Sequence, residues 1–263
     1  MRRSKRPTWG VRRIKVLDIK NLMVFFENAL ALNDLSMMVN EGEIVGVIGS
    51  NSAGKTTLMN TVSGLIIDMK IKEQRKGGER ITVYGKITFQ GEDITDVKPN
   101  DRVKRGIVLS RERHPIFPES DVMENLKIAG HMKKMSELRE MTEYVFHLFP
   151  ALFDLKKRRA GFLSGGEQQM LAIGMALIVK PVLLLLDEPL LGLSPHLQTA
   201  LVGAIKNLRS ESGITILITE QFARPVLPMI DRGYVIENGM LTLTGTGAEL
   251  MENPEIKAAY FGI

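Results

Sequence analysis

Short apolar runs set off by glycine and polar punctuation dominate the first part of the chain. Val16-Leu17-Asp18-Ile19 and Leu22-Met23-Val24-Phe25-Phe26 predict two short strands, and Leu35-Ser36-Met37-Met38-Val39 a third. Spaced this closely, they predict an antiparallel β sublayer. Glu43-Ile44-Val45-Gly46-Val47-Ile48, Ile107-Val108-Leu109, Val182-Leu183-Leu184-Leu185-Leu186 and Ile214-Thr215-Ile216-Leu217-Ile218 read differently. The run at 182–186 has no polar alternation, the mark of a strand covered on both faces, as in a parallel α/β sheet. Lys86-Ile87-Thr88-Phe89-Gln90 is a further strand, and Tyr234–Glu237 and Met240–Leu243 flank the hairpin signal Asn238-Gly239.

Helical periodicity appears from Thr57 to Val62, from Pro99 to Arg105, and twice in the middle of the chain. Val122 to His131 sets Val122, Leu126 and Ala129 on one face, and Glu137 to Phe149 does the same with Leu138, Met141, Val145, Leu148 and Phe149. A helical subdomain over about 111–163 is expected, inserted into an α/β core over about 14–110 and 164–263. The charged stretch from Asp68 to Arg80, broken by Gly77-Gly78, predicts an exposed excursion, a solvated loop or hairpin. Thr246 with Glu249 predicts a capped final helix running to Ile263.

Composition narrows the class. With 263 residues, 44% apolar and 25% charged, the chain can bury a full core, and no window approaches 18 uninterrupted apolar residues. The absence of cysteine excludes disulfides and thiol catalysis and suits a reducing cytoplasm. Much of the net charge of +5 sits in residues 1–13, where Arg2, Arg3, Lys5, Arg6, Arg12 and Arg13 precede the first acidic residue, Asp18. No apolar segment follows, so this is not a secretory signal. It is expected to be a disordered, solvated arm, or to touch anionic lipid headgroups at about 1 kcal/mol per cation. No aromatic-interleaved basic face points to a nucleic-acid partner.

The candidate chemistry begins at Gly49-Ser50-Asn51-Ser52-Ala53-Gly54-Lys55-Thr56, followed by Thr57. It fits the phosphate-loop pattern G-x-x-x-x-G-K-[ST], with an apolar strand before it and a helix after it. Backbone N–H groups and a helix N-terminus then face one anion. Lys55 can reach the β- and γ-phosphates of a nucleoside triphosphate, and Thr56 can ligate Mg²⁺. Asp187 and Glu188 close the apolar run at 182–186, where open α/β sheets bind ligands. Asp187 is placed to hold Mg²⁺ and Glu188 to orient or deprotonate a water. A second helix N-terminus starts at Ser164-Gly165-Gly166-Glu167-Gln168. A capping box accounts for Ser164 and Glu167, whereas the paired glycines suggest a second phosphate contact. Thr219-Glu220-Gln221 ends another buried strand, where a polar side chain can sense the γ-phosphate. Phe25 and Phe26, two dozen residues before the phosphate loop, read either as core or as a base-stacking ring.

Taken in order, these motifs resemble the ATP-binding subunit of an ABC transporter over nearly all of Lys15 to Ile263. The phosphate loop, Leu163-Ser164-Gly165-Gly166-Glu167, then Asp187-Glu188 is the ordering that separates this family from kinases and GTPases. Gly192-Leu193-Ser194-Pro195, Glu220-Gln221 and Asp231-Arg232-Gly233-Tyr234 look like the branched-chain amino-acid uptake subfamily, with urea and short-amide importers similar enough to stay open. The resemblance implies a P-loop NTPase fold: a RecA-like parallel core, an antiparallel β sublayer and the inserted helical subdomain.

It further implies that Phe26 stacks on adenine, that Lys55, Thr56 and Asp187 bind phosphates and Mg²⁺, and that Glu188 is catalytic. Ser164, Gly165 and Gly166, with Glu167 and Gln168 beside them, would contact the γ-phosphate of ATP held by an opposite cassette. The implied partners are membrane permease subunits, a second cassette and, indirectly, a substrate-binding protein. The implied location is cytoplasmic, peripheral on the inner face of the membrane. Three positions depart from the usual pattern. Glu112 stands where many relatives carry Gln beside the metal, Gln221 where His is usual, and Met175 where Arg follows the signature. Because Gln221 donates a hydrogen bond but carries no proton, a paralogous heterodimer is favoured over a homodimer. Two other classes stay in view: a low-turnover nucleotide-binding scaffold, and a non-transport ABC protein. The latter usually has two cassettes or long insertions, which this chain lacks.

Overall fold

The computed structural model describes residues 14–78, 80–112 and 115–261, so the basic arm proposed for 1–13 lies outside the described residues. In chain order, β1 (Lys15–Phe26) and β2 (Ala29–Asn40) form a hairpin, and β3 (Ile44–Ile48) leads into α1 (Lys55–Ser63) and α2 (Leu65–Lys76). β4 (Ile81–Phe89), β5 (Glu92–Asp93), α3 (Pro99–Lys104) and β6 (Ile107–Ser110) follow. α4 (Val122–Ala129), α5 (Met135–Leu148) and α6 (Pro150–Asp154) come next, followed by α7 (Gly165–Ile178). Then come β7 (Leu183–Asp187), α8 (Pro195–Ser212), β8 (Thr215–Glu220), α9 (Ala223–Val226), β9 (Arg232–Glu237), β10 (Met240–Gly245), α10 (Gly247–Glu252) and α11 (Pro254–Ile256).

Two sheets carry these elements. β2-β1-β4-β5 is antiparallel, and β10-β9-β3-β8-β7-β6 is parallel from β9 to β6, with β10 antiparallel at its edge. The parallel strands are buried on both faces, and their period of two sorts successive residues between two cores. Ile44, Ile48, Leu184, Leu186, Ile216 and Ile218 join Leu126, Val145, Ile173 and Leu201 from α4, α5, α7 and α8. Val45, Val47, Leu183, Leu185 and Leu217 join the antiparallel sheet and α1. Met175 packs at the margin of the first core.

Three expectations change. The two strands at 16–19 and 22–26 are one strand, β1, whose register against β2 slips between Ile19 and Leu22. Lys20-Asn21 marks an irregularity within a strand: Asn21 takes φ +49, its N–H donates to Ser36 Oγ at 2.9 Å, and its Nδ2 donates to Asp34 Oδ1 at 2.7 Å. The charged excursion is a helix, α2, with only Ile66 fully buried. Its Lys, Glu, Gln and Arg are good helix formers and suit a solvated face, and Gly77 at φ +64 closes it. The last helix has the expected Thr246–Glu249 capping box but breaks after Glu252, where Asn253 caps a new turn at Pro254.

Arg102 fixes α1 from behind and is wholly buried. Its guanidinium donates to Val97 O at 2.8 Å, Thr61 O at 2.7 Å, Val62 O at 2.9 Å, Ile94 O at 2.6 Å and Thr95 O at 2.9 Å. A cation thus closes the carbonyl end of the helix whose amino end is the phosphate loop. Burial pushes its pKa down to about 10, so it stays charged. Arg102→Met should lower the unfolding free energy by about 3–5 kcal/mol, because several buried carbonyls lose their donors at once. Arg102→Lys should recover only part of the loss, since an ammonium cannot reproduce the fork. Denaturant unfolding followed by circular dichroism measures both.

Candidate nucleotide site

The phosphate loop leaves the carboxyl end of β3, whose five residues are all buried. A Cβ at Gly49 would lie 2.5 Å from Ile236 O, and one at Gly54, where φ is +106, would lie 2.7 Å from Ala31 O. Both glycines are therefore required by backbone close approach. The helix α1 opens at Lys55 with no side-chain cap and no acidic residue in its first turn. Its N-terminal donors and positive dipole end adjoin a cavity of about 380 Å³ lined by Asn51, Ser52, Gly54, Lys55, Thr56 and Thr57, and also by Glu112 and Glu188. A larger groove of about 680 Å³ between α5, α7 and α8 is lined by Met141, Tyr144, Leu177 and Leu208, and no phosphate-binding element reaches it. Volume does not locate the chemistry here.

Lys55, 3% exposed, donates to Gly49 O and Ser50 O at 2.8 Å each and pairs with Glu188 Oε1 at 3.0 Å. Glu188 follows β7 directly and takes φ +46, a conformation rare for a residue with a side chain. Its N–H donates to Thr219 O at 3.1 Å and Thr219 Oγ1 at 3.2 Å, which hold it there. Asp187 accepts from Thr219 Oγ1 at 2.7 Å. Burial pushes the Asp187 pKa up, and the charges of Glu188 and Glu112 add to the effect. A divalent cation at this point would relieve that cost.

The donors fit Mg²⁺. Thr56, Asp187 and Glu112 offer hard oxygens, and Thr56 and Glu112 both act on the Asp187 carboxyl electrostatically. Among the described residues no group of three or more His, Cys, Asp or Glu forms an all-protein cage. Mg²⁺ takes one or two carboxylates and fills its remaining positions with water and phosphate.

The structure also brings in Glu220, which the sequence showed only as a polar strand end. It is 1% exposed at the end of β8, beside Thr219. Glu220 Oε1 accepts from Leu190 N at 2.8 Å, and its Oε2 has no hydrogen-bond partner among the described residues. Burial pushes its pKa up to about 8. The available signal was the one that flagged Asp187: a carboxylate closing an apolar strand on the ligand side of the sheet.

Other candidates lie outside this cavity. Ser164 caps α7 as expected: its N–H donates to Glu167 Oε2 at 2.7 Å, and Glu167 N donates to Ser164 Oγ at 3.4 Å. Gln168 Nε2 donates to Ala160 O at 3.2 Å. None of Ser164, Gly165, Gly166, Glu167 or Gln168 lines the phosphate-loop cavity. Phe26, half-buried at the end of β1, and Gln221, half-buried after β8, do not line it either.

The sequence model described as "ABC transporter" matches residues 32–191. The high-affinity branched-chain amino acid transport ATP-binding protein BraG of Pseudomonas aeruginosa is 37% identical over 247 residues, covering 94% of this chain and 100% of that protein. The lipopolysaccharide export system ATP-binding protein LptB of Haemophilus influenzae is 31% identical over 252 residues, covering 95% and 98%. Among solved structures, the ADP conformation of MJ1267, an ATP-binding cassette of an ABC transporter, superposes with a TM-score of 0.76 at 28% identity, covering 95% and 99%.

Proposed function

This chain belongs to the ABC transporter family as an ATP-binding, ATP-hydrolysing cassette, and from that premise we propose how its residues divide the work. Gly49 to Thr57 cradle the phosphates of ATP, with Lys55 on the β- and γ-phosphates. Thr56, Asp187 and Glu112 would hold Mg²⁺, which when bound would offset phosphate charge. The incoming phosphates draw Lys55 away from Glu188, and the freed carboxylate takes the proton of the attacking water. Gln221 senses the γ-phosphate as a hydrogen-bond donor. Ser164, Gly165 and Gly166, with Glu167 and Gln168 behind them, complete the site of a second cassette. The observation that carries this reading is the 3.0 Å pairing of Lys55 with Glu188, beside Asp187 held by Thr219 at 2.7 Å, at the carboxyl edge of one parallel sheet.

ATP closes the dimer only as far as it binds the closed form more tightly, and hydrolysis reopens it. Permease subunits in the membrane take up that motion, with the cassette peripheral on the cytoplasmic face and a substrate-binding protein delivering cargo on the other side. The cargo we infer is a branched-chain amino acid, on the 37% identity to BraG. Reconstituted in vesicles with its own membrane subunits, the complex should drive ATP-dependent leucine or isoleucine uptake. Uptake of urea or short amides instead, or ATPase activity with no transport, would replace this reading. Gln221 favours a paralogous cassette as the second subunit, and recovery of the native complex as a homodimer of this chain would overturn that.

Phe26 supplies the adenine stack in this scheme. Phe26→Ala should weaken ATP binding by roughly tenfold to a hundredfold, as expected for loss of a ring worth about 1–3 kcal/mol per base, and Phe26→Tyr should retain it. Fluorescent-nucleotide titration measures both.

A further inference from the structure

Glu188 sits on a turn closed by Leu191 N–H, which donates to Glu188 O at 3.2 Å. Its φ of +46 is sparsely populated for a residue with a side chain, and two bonds from its own N–H to Thr219 secure one side. The other side runs through Pro189, which has no N–H, to Leu190. Leu190 N–H is thus the first amide after Glu188 able to anchor the turn, and it donates to Glu220 Oε1 at 2.8 Å. Leu190 is itself 1% exposed, so no solvent can replace that acceptor.

We propose that Glu220 is a positioning residue: its carboxyl pins the Leu190 amide and so fixes the turn from which Glu188 faces Lys55. Glu220 and Thr219 then act as a pair on consecutive positions of β8, Thr219 holding Asp187 and the Glu188 amide, Glu220 holding the chain just beyond. Both precede Gln221, so one strand end ties the γ-phosphate sensor to both carboxylates. The inference rests on the role given to Glu188 above.

Glu220 does this as a neutral acid. It is buried with one oxygen unpartnered, and its pKa of about 8 keeps it protonated at neutral pH. The charged groups that face it are Glu188, which raises its pKa, and Lys55, which lowers it. Ionisation would set a second carboxylate against Glu188 and in competition for Lys55. Activity should therefore fall as pH rises through about 8.

The test compares Glu220→Gln and Glu220→Leu with wild type in the assembled transporter, reading kcat, KM for ATP and their pH dependence. Glutamine keeps the acceptor for Leu190 and cannot ionise. Its kcat at pH 7 should stay within about threefold of wild type, with the alkaline fall near pH 8 removed. Leucine keeps the bulk and loses the acceptor: kcat should drop at least about thirtyfold, with KM and nucleotide affinity little changed. Should Glu220→Leu fail to fold, the pH profile of Glu220→Gln decides alone. An unchanged alkaline limb in Glu220→Gln, or wild-type kcat in Glu220→Leu, overturns the proposal. Glu188→Gln run in parallel separates the two readings: if it is inactive while Glu220→Leu is active, only the positioning role fails. If Glu188→Gln turns over normally, the catalytic assignment itself fails.

Discussion

Glu188→Gln is expected to bind ATP at least as tightly as wild type, to lower turnover by about 10²–10⁴-fold, and to accumulate as an ATP-bound dimer. The reason lies in the ion pair. Glu188 and Lys55 are 7% and 3% exposed and 3.0 Å apart, so each charge depends on the other for compensation. Phosphate entering the loop competes with Glu188 for Lys55, and an amide at 188 removes the competitor without changing its shape. Binding is therefore spared or strengthened. What is lost is, among the described residues, the one carboxylate lining this cavity that pairs with Lys55. Glu112 lines the same cavity but is assigned to the metal. Single-turnover hydrolysis with radiolabelled ATP gives the rate, and size-exclusion chromatography in Mg-ATP gives the oligomer. A wild-type single-turnover rate would remove Glu188 from the role assigned to it.

How much of this was legible in the sequence depended on whether local chemistry alone fixes a residue's place. Gly49 and Gly54 were readable because a backbone that approaches Ile236 O and Ala31 O tolerates no Cβ, and the pattern records that requirement. The apolar run at 182–186 was readable because burial on both faces erases alternation, and its ending in Asp187-Glu188 then placed two carboxylates at the sheet edge. The bulge at Asn21 was not readable, because a polar pair inside an apolar pattern marks a turn as readily as a register slip. α2 was missed for a related reason: charge density reports solvation, and a solvated helix and a solvated loop share it. Glu220 was readable as a carboxylate closing an apolar strand, but its partner thirty residues back, Leu190 N–H, was not, because a backbone donor leaves no mark in the sequence.

The paired glycines of the second turn are where sequence and structure together yield the sharpest expectation. The structure divides their duties. A Cβ at Gly166 would come within 2.6 Å of Leu197 Cδ1, so Gly166 serves the packing of α7 on α8. A Cβ at Gly165 meets nothing within 4 Å, and the residue is exposed at the first position of α7. Nothing among the described residues requires glycine at 165. An aspartate there would complement the helix dipole and cost the isolated subunit nothing. Yet if this helix end serves the γ-phosphate of an opposing cassette, the same aspartate sets bulk and negative charge against an anion. Gly165→Asp should therefore melt like wild type and bind ATP as a monomer with unchanged affinity. It should lose ATP-driven dimerisation, and its turnover should fall by about 10²–10³-fold, the cost of removing a preorganised donor from a phosphate site. Analytical ultracentrifugation of Gly165→Asp in the Glu188→Gln background isolates the effect, because hydrolysis cannot then reopen the dimer. Normal ATP-dependent association of that double variant would mean that the opposing nucleotide is held without this turn, and the split-site reading would fall with it.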